Sequence, residues 1–184
     1  MKSDNIFHIK NILSPSDFHS VHDEFCSITN LWRFTKKEKF DPADHPFHGC
    51  LHKPLADFDT IGDNLAFIKQ ATNLKLVCEK YIGKKLVLTR INTNIQFFGQ
   101  DGSFHKDGRE GSWTLNLFAK DYWQTNWGGM FVVQNEQGDY IYYPYIPNNA
   151  VLFPGYLEHM GHAPNRLCKF PRFTIAFTYQ ELTS

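Results

Sequence analysis

Two segments in the first half of the chain carry apolar residues at the spacing of an amphipathic helix. The first begins after Ser14, which can cap a helix, and Pro15 and Asp17 suit its first turn, so a helix of about 14 residues is predicted. The second covers residues 62–82, and Gly83 can end it in the left-handed conformation. Ahead of both helices, residues 5–13 alternate loosely between apolar and polar side chains, which predicts an edge strand.

From residue 86 onward the alternation has the period of a strand. Strands are predicted at residues 86–91, 94–98, from 104 onward, and at 113–118, 130–133, 139–145, 150–153 and 172–179, with turn residues between them. Short strands after two helices predict a mainly β fold with N-terminal helices (α+β), an antiparallel sandwich or open barrel backed by the helices. No repeat or linker interrupts the chain, so we expect one domain over residues 1–184, with helical support at about 14–83 and a β core at about 86–180.

Composition narrows the class of protein. The chain has 184 residues, 42% of them hydrophobic and 21% charged, as in ordinary globular proteins. The formal net charge is zero, so no nucleic-acid or membrane partner is expected. Aromatic residues make up 16% and include 17 Phe, which favours a β-rich core or an aromatic-lined cavity.

The four cysteines, at positions 26, 50, 78 and 168, are scattered and form no CxxC pair. The chain starts without a secretory signal pattern and contains no long apolar run. We therefore expect a cytoplasmic protein with free thiols.

Residues 31–58 read as an irregular, proline-punctuated segment that could cover a substrate cleft. It holds a cluster of zinc-type side chains at His45, His48, Cys50 and His52. Their spacing matches no closed zinc motif, so a polar loop is the favoured interpretation and a second metal site the alternative.

Metal chemistry is predicted more strongly at His105-x-Asp107. Two side chains separated by one residue on a strand point to the same face, so His105 and Asp107 could bind adjacent positions of a divalent metal. A third ligand should come from a distant strand, and residues 155–164 offer His159 and His162. Two histidines and one carboxylate on one face of an octahedron form the open site of non-haem Fe(II) oxygenases.

A candidate anion receptor begins the last strand. Arg172 and Thr174 share one face, and an inward arginine in a small barrel is costly unless an anion meets it. A guanidinium beside a hydroxyl suits the distal carboxylate of a dicarboxylate. Other candidates for the pocket lining are the amides Asn92, Asn94, Gln96 and Asn116. Trp113 and Trp127 either wall a substrate cleft or pack in the core.

Taken together, these motifs resemble the 2-oxoglutarate/Fe(II)-dependent dioxygenases, specifically their prolyl 4-hydroxylase-like branch. The resemblance includes His105-x-Asp107, His162 with Arg172 ten residues later, and Thr174. It extends to Trp123-x-x-x-Trp127-Gly128-Gly129 and to Phe153-Pro154, and it covers residues 86–180 or so. Met130 departs from the acidic residue that often follows the two glycines.

The resemblance implies a double-stranded β-helix (jelly-roll) core, Fe(II) and 2-oxoglutarate as cofactor and co-substrate, with ascorbate as a further candidate, and succinate and CO₂ as products. It implies that His105, Asp107 and His162 are the metal ligands, with no catalytic residue beyond them. His162 is preferred over His159 because its spacing to Arg172 matches the family. Arg172 and Thr174, with Asn94 and Asn116, would bind the co-substrate.

The predicted function is hydroxylation of a C–H bond in a small molecule or a peptide, such as a prolyl residue. The substrate rests on analogy, because this fold serves many substrates. The alternatives are a cupin-like metal-binding β-barrel without dioxygenase activity, which has no use for Arg172, and a non-catalytic binding module. The sequence makes no prediction of the oligomeric state.

Overall fold

The computed structural model describes residues 5–27, 33–34, 49–54 and 66–182. These residues form two α-helices, both in the first half of the chain, and ten strands. The elements are β1 (Phe7–Ile9), α1 (Pro15–Ser27), β2 (Arg33–Phe34), β3 (Gly49–Pro54), α2 (Ala66–Ile82), β4 (Leu86–Gln96), β5 (Ser112–Phe118), β6 (Phe131–Gln134), β7 (Tyr140–Tyr143), β8 (Ala150–Pro154), β9 (His159–Gly161) and β10 (Arg172–Glu181).

The start of α1 and the end of α2 are formed by the residues that the sequence predicts. The Ser14 hydroxyl accepts a bond from the Asp17 backbone N–H at 3.2 Å, which caps the start of α1. At the end of α2, Gly83 has φ +74° and its N–H bonds to the carbonyl of Glu79 at 2.8 Å. Residue 28 and residues 62–65, which were predicted to be helical, lie outside the described residues.

The described strands form two antiparallel sheets. The larger has seven strands in the order β1-β8-β5-β10-β4-β3-β2, and the smaller has three in the order β7-β6-β9. Strand β10 lies between β4 and β5, pairing Thr174 with Asn94 on one side and Phe118 on the other. The fold is therefore mainly β with two helices, as predicted, and β1 is an edge strand.

The large sheet separates two apolar clusters. On one face, alternate residues of β10, namely Phe173, Ile175, Phe177 and Tyr179, pack with residues of both helices. On the other face, Phe118 and Phe153 of the large sheet pack with Phe131 and Val133 of the small sheet. The order of layers is helices, large sheet, small sheet, and the polar residues of the second face lie between the sheets.

The structure corrects three local predictions. Residues 86–91 and 94–98 do not form two strands, because one strand, β4, continues from Leu86 to Gln96, with a register irregularity opposite Thr178 and Tyr179. His105 lies in no regular strand and makes a single bridge to His159. In the segment predicted to be irregular, β2 and β3 extend the large sheet beyond β4.

The proposed zinc cluster cannot be compared with the described structure. His45 and His48 lie outside the described residues, and Cys50 and His52 belong to β3, of which the backbone alone is described. The second metal site therefore stays a prediction. In the part of the chain that is described, no helix combines the length and apolar character needed to cross a bilayer.

Candidate active site

Three side chains of the types that bind metals come together beside β9. Ligand atoms of His105, Asp107 and His159 all lie within 4.8 Å of one another. His105 and His159 are directly opposed in an antiparallel bridge, with reciprocal N–H···O bonds of 3.1 and 3.0 Å. This bridge brings together two residues that are far apart in the sequence.

Both histidines are oriented by the same local contact. Nδ1 of His105 lies 2.9 Å from the carbonyl oxygen of Ser103, and Nδ1 of His159 lies 3.0 Å from that of Leu157. A ring that donates Nδ1–H to a carbonyl has its lone pair on Nε2, the tautomer that binds a metal. Burial, and then the neighbouring His159, lower the pKa of His105, which favours its neutral form.

Asp107 is held ionised. Burial alone would raise its pKa, but His159, Arg90 and His105 outweigh burial, and the pKa lies well below its ordinary value. The backbone N–H groups of Asp107 and Gly108 both bond to the carbonyl of Gly155, at 2.9 and 3.0 Å. The turn after β8 therefore fixes the position of the carboxylate.

His162, the ligand predicted from its spacing to Arg172, is not among the three residues of this cluster. Its Nδ1 lies 3.3 Å from Asp101 Oδ1, at a site where both side chains are solvent-accessible. Because side chains alternate along a strand, His159 and Gly161 share one face of β9. His162 directly follows Gly161, so its side chain points away from that face.

Arg172 lies where the sequence predicted a buried cation. It is 2% exposed, and no described residue forms a salt bridge with it. Its Nε donates to the carbonyl of Gly129 at 2.9 Å and its Nη1 donates to Gln96 Oε1 at 2.6 Å. Nη2 is buried and has no hydrogen-bond partner among the described residues. Burial lowers the pKa of Arg172 to about 10, so the guanidinium stays charged at neutral pH.

The guanidinium lies close to the His105–Asp107–His159 cluster. A Cβ built on Gly161 would be 3.0 Å from Arg172 Nη1, so the arginine head packs against β9 two residues from His159. Two residues of a strand span about 7 Å. The aromatic rings of Tyr145 and Phe118 lie 5.3 and 6.0 Å from Arg172 Cζ and screen it from water.

The other predicted lining residues lie on the same face of the large sheet. Thr174 is buried and is flanked by Asn94 of β4, and Asn116 of β5 is buried beside Ala176. Trp113 and Trp127 pack elsewhere: Trp113 belongs to the cluster between sheet and helices, and Trp127 contacts Trp123 and Phe170. The structure thus favours core packing for both tryptophans.

Sequence reasoning missed the partners of Asp107. Arg90 Nη2 donates to Asp107 Oδ1 at 2.8 Å, and the Thr114 hydroxyl donates to Oδ2 at 2.8 Å. A signal was present, since Arg90 begins the polar series that continues with Asn92, Asn94 and Gln96 along one face of β4. The argument that an inward arginine needs an anion, applied to Arg172, applies to Arg90 as well.

Comparison with known proteins identifies the fold. No protein-family model matches the sequence, and no curated protein matches it significantly. Solved structures do match. A prolyl-4-hydroxylase from Pseudomonas putida superposes with a TM-score of 0.70 at 13% identity, over 97% of this chain and 93% of that chain. The chain has the fold of the non-haem 2-oxoglutarate-dependent enzymes.

Two further matches differ in what they bind. A prolyl hydroxylase from Trichoplax adhaerens, solved with a peptide fragment of hypoxia inducible factor, has a TM-score of 0.73 at 13% identity, covering 97% of this chain and 84% of that chain. The epimerase SnoN, solved with Fe³⁺, alpha ketoglutarate and nogalamycin RO, has a TM-score of 0.68 at 13% identity, covering 96% and 79%. The shared fold therefore serves both peptide and small-molecule substrates.

Proposed function

We propose that this protein is a member of the 2-oxoglutarate/Fe(II)-dependent dioxygenases and hydroxylates a C–H bond of its substrate. In this proposal the two sheets form a double-stranded β-helix within a single domain. The observation that carries it is a His–Asp–His cluster close to a buried arginine that forms no salt bridge with any described residue. A cupin-like metal protein would have no use for that arginine.

The donor set fits Fe(II). His105, Asp107 and His159 supply two imidazoles and one carboxylate, the set used by non-haem Fe(II) oxygenases, which leaves coordination positions open. We therefore assign the third metal ligand to His159 rather than to His162. Phe131 and Phe153 pack against the His159 ring, at 5.7 and 4.6 Å between centroids, and supply an apolar wall.

The co-substrate site would be completed by Arg172. Its Nη2 has no hydrogen-bond partner within the described part of the chain, and a carboxylate of 2-oxoglutarate would both satisfy that donor and neutralise the buried charge. Thr174, Asn94 and Asn116 are the further candidates to line the site, since they occupy the same face. The spacing of about 7 Å along β9 between His159 and Gly161 is comparable to the length of a five-carbon dicarboxylate.

The chemistry couples two oxidations. Bound iron would supply oxygen activation, with 2-oxoglutarate and O₂ converted to succinate and CO₂ while one oxygen atom enters the substrate C–H bond. The contribution of this chain is positional: Asp107 and the histidines orient the metal, Arg172 orients the co-substrate, and the aromatic residues exclude water. Ascorbate, if required, would act as an external reductant.

The substrate is proposed as a small molecule or a peptide, including a prolyl residue. The matched structures include prolyl hydroxylases and an epimerase, so the fold alone does not select the reaction outcome. The cytoplasmic location inferred from the sequence belongs to the same proposal.

The decisive experiment is an anaerobic titration with Fe(II) and 2-oxoglutarate. A weak visible charge-transfer band should appear when both are present and be absent with either one alone. Succinate formation under air, across a panel of peptides and amino acids, would then identify the substrate. A protein that binds neither reagent would contradict the proposal.

Matched histidine variants test the ligand assignment. His159→Ala should abolish the band and weaken metal binding by more than the ~10–100-fold typical of losing an outer-shell partner. His162→Ala should keep both properties, because His162 contacts Asp101 rather than the cluster. The opposite order of effects would return His162 to the metal site.

A further inference from the structure

The two oxygens of the Asp107 carboxylate have different partners. Oδ2 accepts the Thr114 hydroxyl at 2.8 Å and lies 3.4 Å from His159 Nε2, so it faces the centre of the cluster. Oδ1 accepts Arg90 Nη2 at 2.8 Å, and this bond is an ion pair. One oxygen is thus turned toward the metal position and the other is engaged by a cation.

The guanidinium of Arg90 is itself held in place by its strand. Arg90 of β4 pairs with Thr178 of β10, which pairs with Thr114 of β5, so these residues form one row across three strands. Arg90 Nη2 also lies 3.4 Å from the Thr178 hydroxyl, and its buried Nε has no partner among the described residues. The contact with Asp107 is therefore the strong interaction that orients this side chain.

A carboxylate can bind a metal through one oxygen or through both. A second metal–oxygen bond would use a coordination position that a dioxygenase needs for co-substrate or O₂. An arginine that occupies one oxygen with a charge-assisted bond opposes such chelation, because the bond would have to be weakened or lost.

From this geometry we infer that Arg90 is a positioning residue that keeps Asp107 a one-oxygen metal ligand and so keeps a coordination position open. The inference rests on the proposed function, in that it assumes a metal at His105, Asp107 and His159. It adds a role for a residue that would not itself touch metal, co-substrate or substrate.

The test counts the waters on bound Mn(II), used as a probe, by field-dependent water-proton relaxation. With three protein ligands on an octahedral ion the wild-type protein should keep about three waters. Arg90→Met frees Oδ1, and we expect about one water fewer because Asp107 then chelates. Arg90→Lys retains a cation of nearly the same reach and should restore the wild-type count.

Two further variants keep the test decisive. Arg90→Gln, whose side chain is too short to reach Oδ1, should match Arg90→Met and serves if Met at this position does not fold. Thr114→Val removes the neutral bond to the other oxygen and should leave the water count unchanged while weakening Mn(II) binding.

The outcomes separate the inference from the proposed function. If the wild-type protein binds no Mn(II) that depends on His159, the metal site itself fails. If Mn(II) binds and both Arg90→Met and Arg90→Gln keep the wild-type number of waters, the metal site stands and the role of Arg90 is wrong. Loss of a water in Thr114→Val as well would also overturn it, since the effect would then not depend on the arginine.

Discussion

At the scale of single residues, the most informative side chain is Arg172. It is a buried cation whose Nη2 has no hydrogen-bond partner among the residues that the structure describes. Losing a hydrogen bond to a charged group costs about 1.5–3 kcal/mol of binding free energy. Arg172→Gln should therefore raise the 2-oxoglutarate concentration needed for half-saturation about 10- to 150-fold. Metal affinity, measured without 2-oxoglutarate, should stay near the wild-type value. An unchanged 2-oxoglutarate requirement would move the co-substrate site elsewhere.

A substitution at Gly161 offers a second test of the site around Arg172, because Gly161 lies against the guanidinium. An added Cβ would lie 3.0 Å from Arg172 Nη1 and 3.3 Å from Gln96 Oε1, so the arginine would have to shift. Off-rotamer strain of about 0.5–1.5 kcal/mol predicts a roughly 2- to 13-fold weaker 2-oxoglutarate affinity for Gly161→Ala. Calorimetric titration of the metal-loaded protein would measure this. Met160→Ala, the neighbour on the other face of β9, is the control and should bind normally.

At the scale of elements, Glu79 joins the end of α2 to the start of β4. Its carboxylate accepts the Leu86 N–H at 3.0 Å and the ammonium groups of Lys75 and Lys85 at 2.9 and 3.2 Å. The Leu86 hydrogen bond, followed by Lys75, lowers the pKa of Glu79 from 4.5 to about 2. The ionised side chain therefore stabilises the junction above pH 4.5, and this stabilisation is lost as the pH falls toward 2.

Glu79→Gln should accordingly be less stable than the wild-type protein at neutral pH. The difference in unfolding free energy should shrink as the pH falls from 4.5 to about 2, because the wild-type carboxylate becomes protonated. Urea denaturation at several pH values would measure it. Glu110→Gln, in an exposed turn, is the matched control, and an equal pH dependence in both variants would contradict the role of Glu79.

At the scale of the whole molecule, stability should depend on the cluster between the large sheet and the helices. Phe177 is fully buried there, with 0% exposure, among residues of β4, β5 and α2. Phe177→Ala should lower the unfolding free energy by about 3–5 kcal/mol. Phe98→Ala, at a position that is 64% exposed, should change it by less than about 0.5 kcal/mol. Urea midpoints would measure both, and similar midpoints would indicate that this cluster does not limit stability.

Much of this architecture follows from local patterns. Ser14 and Gly83 mark helix ends because their preferences act within a few residues, and the alternation in β5 and β10 separates inward from outward side chains. The inward position of Arg172 and the shared face of Thr174 followed from the same period. The sequence thus predicted most of the strands and the two helices by physics that needs no partner from elsewhere in the chain, and the anion receptor stays a prediction.

The choice between His159 and His162 depended on the tertiary structure. Both lie in one short segment, and the spacing to Arg172 favours His162, whereas the structure places His159 beside His105 and Asp107. His159 lies next to His105 because the two residues form an antiparallel bridge, a contact between residues distant in sequence. The pairing of Arg90 with Asp107 could not be predicted for the same reason, because the position of β4 relative to Asp107 is set by strand pairing in the sheet.

The sequence by itself determined which side chains are available for metal and anion binding and which face of its strand each one occupies. Only the tertiary structure decided which of them meet. The physical reason is that side-chain direction is set by the backbone repeat, whereas contact across strands is set by register and loop length, which no short stretch of sequence encodes.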